Sequence, residues 1–180
     1  MPQPTKKKPK KKTPKIYHLS QEVSILYTAS LYEAEILVYI VKHYVKFLPP
    51  DVTDLICTSS SGAILASAIA TQIYTKTKGE RNLNILYVKK NEWSFRPKDT
   101  KGITTVGALT YPTDHMKTCF VDDLIDTCHS FKACNKYVKK DTDKYIDCIL
   151  VTHSTASNRQ LDALKVNEII ILSEDNPELR

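Results

Sequence analysis

Val121-Asp122-Asp123-Leu124-Ile125-Asp126-Thr127-Cys128-His129-Ser130 is the stretch of this chain whose reading decides the fold. It follows an apolar run, Lys117 to Val121, that reads as a buried strand, and it precedes a helix predicted from about Phe131 to Lys140. Two adjacent carboxylates at a strand end repel each other and are costly to hold together. They make sense where something bound there uses both, such as vicinal hydroxyls or a divalent metal. The turn beyond them is rich in hydroxyls and opens a helix, whose free N–H groups and positive dipole end suit a phosphate. Acids for sugar hydroxyls beside amides for a phosphate match the chemistry of a ribose 5-phosphate. A plain helix N-cap accounts for Asp126 and Ser130, but it leaves Asp122 and Asp123 unexplained at the end of a continuous apolar strand.

Outward from this stretch, strands and helices alternate. Asp54-Leu55-Ile56-Cys57-Thr58 reads as a strand, Ser59-Ser60-Ser61-Gly62 as a turn, Ala63 to Tyr74 as a helix and Leu83 to Val88 as a second strand. Downstream, Tyr145 to Val151 and Glu168 to Leu172 read as strands around a helix from Ser157 to Leu164. Upstream, Ile25, Leu26, Ala29, Leu31, Ile36, Leu37, Ile40, Val41 and Tyr44 recur at helical spacing, with a break near Thr28-Ala29-Ser30, and Pro49-Pro50 ends that segment. Residues 91–115 hold polar, Pro and Gly positions and read as a loop.

Short apolar strands alternating with helices imply an α/β fold whose parallel sheet is buried on both faces. Ligands of such sheets bind beyond the carboxyl ends of the strands. Candidate residues are therefore those that follow each strand. Consecutive amides and hydroxyls at Ser59, Ser60, Ser61 and Gly62 can cradle an anion, although a serine-rich turn capping a helix has the same composition. Lys89 and Lys90 end the second strand as point charges suited to phosphate. No G-x-x-x-x-G-K-[ST] and no G-x-G-x-x-G occurs, so the usual motifs of triphosphate hydrolysis and dinucleotide binding are missing.

The chain has 180 residues, 42% of them hydrophobic, enough for one compact domain with a core. Its net charge of +6 is concentrated in residues 1–15, which carry Lys6, Lys7, Lys8, Lys10, Lys11, Lys12 and Lys15 and no acid. The expected organisation is a disordered Lys/Pro-rich tail over 1–15 and a folded domain over 16–180. The body is close to neutral, so attraction to nucleic acid is expected only through the tail. The Lys6–Lys12 cluster also fits a nuclear import signal or simple solubilisation. Five cysteines with no CxxC pair read as reduced thiols of an intracellular protein, and no apolar run approaches a membrane span. The expected location is the cytoplasm, with the nucleus open through the tail, and no membrane partner.

Residues Cys119 through Ser130 resemble the phosphoribosyl pyrophosphate (PRPP) signature of type I phosphoribosyltransferases: an apolar strand, two acids, two apolar residues, an acid, then a small polar turn. The resemblance implies that family's Rossmann-like parallel sheet with flanking helices and a small hood. It implies a Mg2+-dependent pentosyltransferase that moves 5-phosphoribosyl from PRPP to a nucleobase or related amine and releases pyrophosphate. Asp122 and Asp123 would hold the ribose hydroxyls, and a metal indirectly through those hydroxyls or water. Asp126 would sit near the reacting ring, and Thr127, Cys128, His129 and Ser130 would hold the 5-phosphate. Ser59 to Gly62 with Lys89 and Lys90 would face the pyrophosphate. Residues 91–115 occupy the place of the family's mobile loop, where Lys98 and Lys101 would reach the leaving group. His153, after the fourth strand, would touch base or metal unless it is a capping or exposed residue. A hood over residues 16–50 would select the base, through Tyr17, Tyr27, Tyr32 or Tyr44 unless these pack in helix cores; purine and pyrimidine acceptors both remain open, and a homodimer is compatible. The family usually has Gly where this chain has Cys128; if that position needs positive φ, a Cβ there costs about 1–2 kcal/mol. The alternative expectation is a catalytically degenerate regulator that senses PRPP or a nucleotide on the same fold.

Overall fold

A computed structural model describes residues 13–20, 33–90, 103–106, 117–142 and 145–174. The elements are β1 (Lys15–Ser20), α1 (Ala34–Phe47), β2 (Val52–Cys57), α2 (Ser60–Lys76), β3 (Asn84–Lys90), β4 (Ile103–Val106), β5 (Lys117–Ile125), α3 (His129–Thr142), β6 (Cys148–Ser154), α4 (Asn158–Asp162) and β7 (Glu168–Glu174). The strands form one sheet in the order β1-β7-β6-β5-β2-β3-β4. Pairing is parallel except between β3 and β4 at one edge.

Alternation along each strand feeds two cores. Leu55, Cys119, Val121, Leu150 and Ile170 pack with Ile40, Tyr44, Leu65 and Ile69 of α1 and α2. Ile56, Phe120, Ile149, Val151 and Ile171 pack with Phe131, Cys134, Val138 and Leu161 of α3 and α4. Apolar residues on both sides of one strand are what the continuous runs in the sequence require. All five cysteines are buried free thiols. Among the described residues no helix is long and apolar enough to cross a membrane.

The winding of the chain creates the crevice. From β2 the path runs through α2 to β3 and β4; it then returns to the other side of β2 and runs outward through β5, β6 and β7. Parallel crossovers are right-handed, so this reversal puts α2 and α3 on opposite faces. It leaves a gap between the carboxyl ends of β2 and β5, the switch point at which open α/β sheets take ligands.

The expected strands and helices are present with shifted ends, and four differences bear on function. β5 continues to Ile125 instead of stopping at Val121, because β6 pairs with it as far as Ile125↔Ser154. Asp122 and Asp123 therefore lie inside the strand. α2 begins at Ser60, so Ser60, Ser61 and Gly62 form its first turn and are not a separate loop. β4 interrupts the expected 91–115 loop, its β-branched Ile103, Thr104, Thr105 and Val106 pairing with the end of β3. β1 joins the sheet edge beside β7, so Lys15 is a strand residue and the N-terminal segment does not belong wholly to a hood. Thr13 and Pro14 of the expected tail are described, Pro14 as a buried residue; residues 1–12, the first part of the expected upstream helix, Tyr27, Tyr32, Lys98 and Lys101 lie outside the described residues.

Candidate functional site

Asp122 stands at the switch point and bridges it. Its Oδ1 accepts a hydrogen bond from Ser59 Oγ across the gap and another from the N–H of Asp123 at 3.0 Å. Ser59 is the N-cap of α2: its Oγ also accepts from the N–H of Gly62 at 2.8 Å. One serine thus ties the start of α2 to the acid of β5. Asp122 is 5% exposed and Asp123 9%. Burial pushes the Asp122 carboxyl up to about 7; a hydrogen bond to the Asp123 carboxyl and the charge of that neighbour act in the same direction, against the opposing bond from Ser59. The two acids thus share one desolvated spot with a proton loosely held near neutrality. Asp123 is fixed from below, where its carbonyl accepts from the buried Thr152 hydroxyl on β6.

Beyond β5 the chain turns through Asp126, Thr127 and Cys128 into α3. A cavity of about 120 Å³ opens there, lined by Phe120, Asp122, Leu124, Ile125, Asp126, Thr127, Cys128, His129, Ser130 and Phe131. Asp126, Thr127 and His129 are exposed. Asp126 Oδ1 accepts from the Thr155 hydroxyl at 2.9 Å, while the N–H groups of Thr155 and Ala156 point to the carbonyl of Ile125. These bonds fasten the turn after β6 to the turn after β5. α3 starts at His129, beside the same acids, and the N-terminus of a helix presents N–H groups and a positive dipole end.

Cys128 adopts φ of +60°, the left-handed region that glycine prefers. Its side chain is 3% exposed and packs into the α3 core with Ile125 and Phe131, and its thiol donates weakly to the carbonyl of Asp126. Burial pushes the thiol up, with Lys132 opposing, so it is not set up as a thiolate. The strain is therefore carried for a packed sulfur. Cys128→Ala keeps the left-handed penalty and loses the sulfur, so it should destabilise the fold by about 1–2 kcal/mol. Cys128→Gly should stay within about 1 kcal/mol of the wild type, because strain relief offsets lost packing. Urea unfolding midpoints decide; equal losses in both variants would mean the turn is unstrained.

The structure brings Asp122, Asp126, Thr127, Cys128, His129 and Ser130 to one cavity, while Asp123, whose carboxyl meets that of Asp122, is not part of its lining. Of the serine segment, Ser61 and Gly62 are buried and the Gly62 N–H is taken by Ser59; Ser59 and Ser60 are the members that reach solvent. Lys89 and Lys90 extend β3 past the end of β2 on the ligand side, and their side chains lie outside the described atoms. His153 is half-buried on β6, level with Leu124. Tyr44 is fully buried on the inner side of α1 and serves the core, not a base. Tyr17 lies on the edge strand β1. Thr152 and Thr155 escaped the sequence reading, since a threonine near a strand end carries no signal until its strand is known to lie beside β5.

The same acids bear on magnesium. Among the described residues no group of three or more His, Cys, Asp or Glu converges as a cage. Mg2+ keeps several waters and usually takes one or two carboxylates plus substrate phosphates, and the paired Asp122 and Asp123 fit that limited role.

No protein-family model matches the sequence, and no curated protein matches it. Solved structures do match in fold. An adenine phosphoribosyltransferase from Thermoanaerobacter pseudethanolicus superposes with a TM-score of 0.56 at 16% identity, over 80% of this chain and 83% of that one. An orotate phosphoribosyltransferase from Francisella tularensis gives 0.57 at 14% identity, over 82% and 70%. An adenine phosphoribosyltransferase from Leishmania donovani gives 0.53 at 14% identity, over 89% and 77%. The chain has the type I phosphoribosyltransferase fold: six parallel strands, an antiparallel edge strand and helices on both faces.

Proposed function

We propose that this protein is a Mg2+-dependent phosphoribosyltransferase of nucleotide metabolism, which transfers 5-phosphoribosyl from PRPP to a nucleobase or related amine. The observation that carries this reading is the meeting of Asp122, Asp126 and the start of α3 around one cavity at the switch point. In this reading Asp122, backed by Asp123, accepts hydrogen bonds from the ribose hydroxyls. Asp126, held by Thr155, lies where positive charge grows on the sugar ring as pyrophosphate departs, and a fixed carboxylate favours that charge. The N–H groups of the Thr127–Ser130 turn take the 5-phosphate. Ser59 and Ser60, with Lys89 and Lys90 at the end of β3, would face the pyrophosphate. Bound magnesium would offset charge on the leaving group, with Asp122 and Asp123 as its protein partners through water or hydroxyls.

Cys128 at positive φ favours a second reading, a regulator that binds PRPP or a nucleotide without turning it over. Labelled PRPP with magnesium and a panel of purine and pyrimidine bases separates the two. Base-dependent pyrophosphate release is the expected result. Tight PRPP binding with no release from any base would establish the regulator, and the absence of PRPP binding would reject both. Under the second reading Cys128→Gly should also tighten binding of the 5-phosphate.

A further inference from the structure

The hydroxyl of Ser59 has no hydrogen-bonding capacity left for a ligand. A serine Oγ has one proton to donate and two lone pairs with which to accept. The proton goes to Asp122 Oδ1 across the switch point. One lone pair takes the N–H of Gly62 at 2.8 Å, and the other takes the hydroxyl of Ser61 at 3.1 Å. Ser61 is buried in the first turn of α2 and serves from inside the fold. A plain N-cap needs the Gly62 bond alone. The bond to Asp122 and the bond from Ser61 go beyond it.

These bonds have a direction. Ser59 gives its single proton to Asp122, so Ser61 is the donor to Ser59, and the two hydroxyls form a relay that ends on the carboxylate. Each donor in such a chain polarises the next. At its end Asp122 Oδ1 also accepts from the N–H of Asp123 at 3.0 Å. That oxygen is therefore held from α2 and from β5 at once, which fixes the orientation of the whole carboxylate.

We propose that Ser59, with Ser61 behind it, is a positioning residue for Asp122 and not a pyrophosphate contact: the relay sets the carboxylate that takes the ribose hydroxyls. This role rests on the phosphoribosyl reading and divides the Ser59–Gly62 segment. The N–H of Gly62 is engaged by Ser59, and Ser60 is left as the exposed hydroxyl of the turn. The two roles differ in what they select. A group that touches pyrophosphate acts on every ligand that carries pyrophosphate. A group that works through Asp122 acts on ligands that carry ribose. Without the relay the ligand itself must order the Asp122 side chain, a loss of about threefold to tenfold in affinity.

The test is equilibrium binding of two probes to the full chain, ribose 5-phosphate and inorganic pyrophosphate, each with magnesium. Ser59→Ala should bind ribose 5-phosphate about threefold to tenfold more weakly and pyrophosphate within about twofold of the wild type. Ser59→Thr keeps the hydroxyl and should restore ribose 5-phosphate binding. Ser61→Ala leaves the cap and the Asp122 bond in place; it should weaken ribose 5-phosphate alone, and by less than Ser59→Ala. A urea cycle of Ser59→Ala, Asp122→Ala and the double variant reads the tie with no ligand present: the double variant's midpoint shift should be smaller than the sum of the single shifts. Equal losses of both probes in Ser59→Ala would overturn the proposal, and so would additive midpoint shifts. A wild-type chain that binds neither probe would overturn the phosphoribosyl reading and this role with it, while coupled midpoints would still establish the contact between Ser59 and Asp122.

Discussion

The double variant Asp122→Asn, Asp123→Asn is expected to bind PRPP at least a hundredfold more weakly while folding normally and melting higher than the wild type at pH 8. Two hydrogen bonds to charged carboxylates are lost, each worth about 1.5–3 kcal/mol, and every 1.4 kcal/mol is tenfold in affinity. The stability gain follows from the raised Asp122 carboxyl. Its ordinary value is near 4 in an unfolded chain, and in the fold it is about 7. The folded state therefore holds the proton more tightly, so Asp122 contributes stability below about pH 4 that is lost as pH rises through 7. Near pH 8 the ionised pair costs up to about 4 kcal/mol, and asparagine removes the titration while keeping the shape. Melting curves from pH 4 to 8, beside calorimetric titration with PRPP and magnesium, read both effects. Wild-type affinity in the variant would remove the sugar-binding role of these acids; a flat difference in stability across that range would remove the buried-pair account.

Gly62→Ala is expected to destabilise the protein by about 1–3 kcal/mol, the usual range for overpacking a tight site. A Cβ at Gly62 would stand 2.7 Å from the carbonyl oxygen of Val121 and 2.9 Å from Ser59 Oγ. The first contact is backbone in a central strand and cannot move cheaply. Relief requires the start of α2 to back away from β5, which pulls Ser59 from Asp122. A small residue is therefore required by the helix–strand contact, not by positive φ. Denaturant midpoints check the stability change, and PRPP titration should show weaker binding as well. A variant as stable as the wild type would show that α2 is not seated this closely.

The alternation of apolar runs and helical spacing was enough to define the class of fold. A run such as Leu55-Ile56-Cys57 or Ile149-Leu150-Val151 has no solvated side, and only a strand covered on both faces disposes of both. The acid-rich stretch after Lys117–Val121 was legible for a similar reason, since adjacent carboxylates are costly wherever they are not used. Strand ends were less legible. β5 runs four residues further than its apolar core because β6 supplies the ladder partners for Asp122 to Ile125, and β1 and β4 exist because β7 and β3 lie beside them. Local composition carries none of that.

What the sequence determined by itself is a doubly covered parallel sheet with acids and a hydroxyl-rich turn at the end of one central strand. Only the tertiary structure decided how those groups meet. Ser59 and Asp122 are 63 residues apart and touch because the winding reverses between β2 and β5. Asp126 is held by Thr155 because β6 lies next to β5. Cys128 takes a glycine-like φ because its sulfur has a core to enter. Periodicity reports which face of a segment avoids water; which distant side chain lies across a gap depends on strand order, and that is a property of the whole chain.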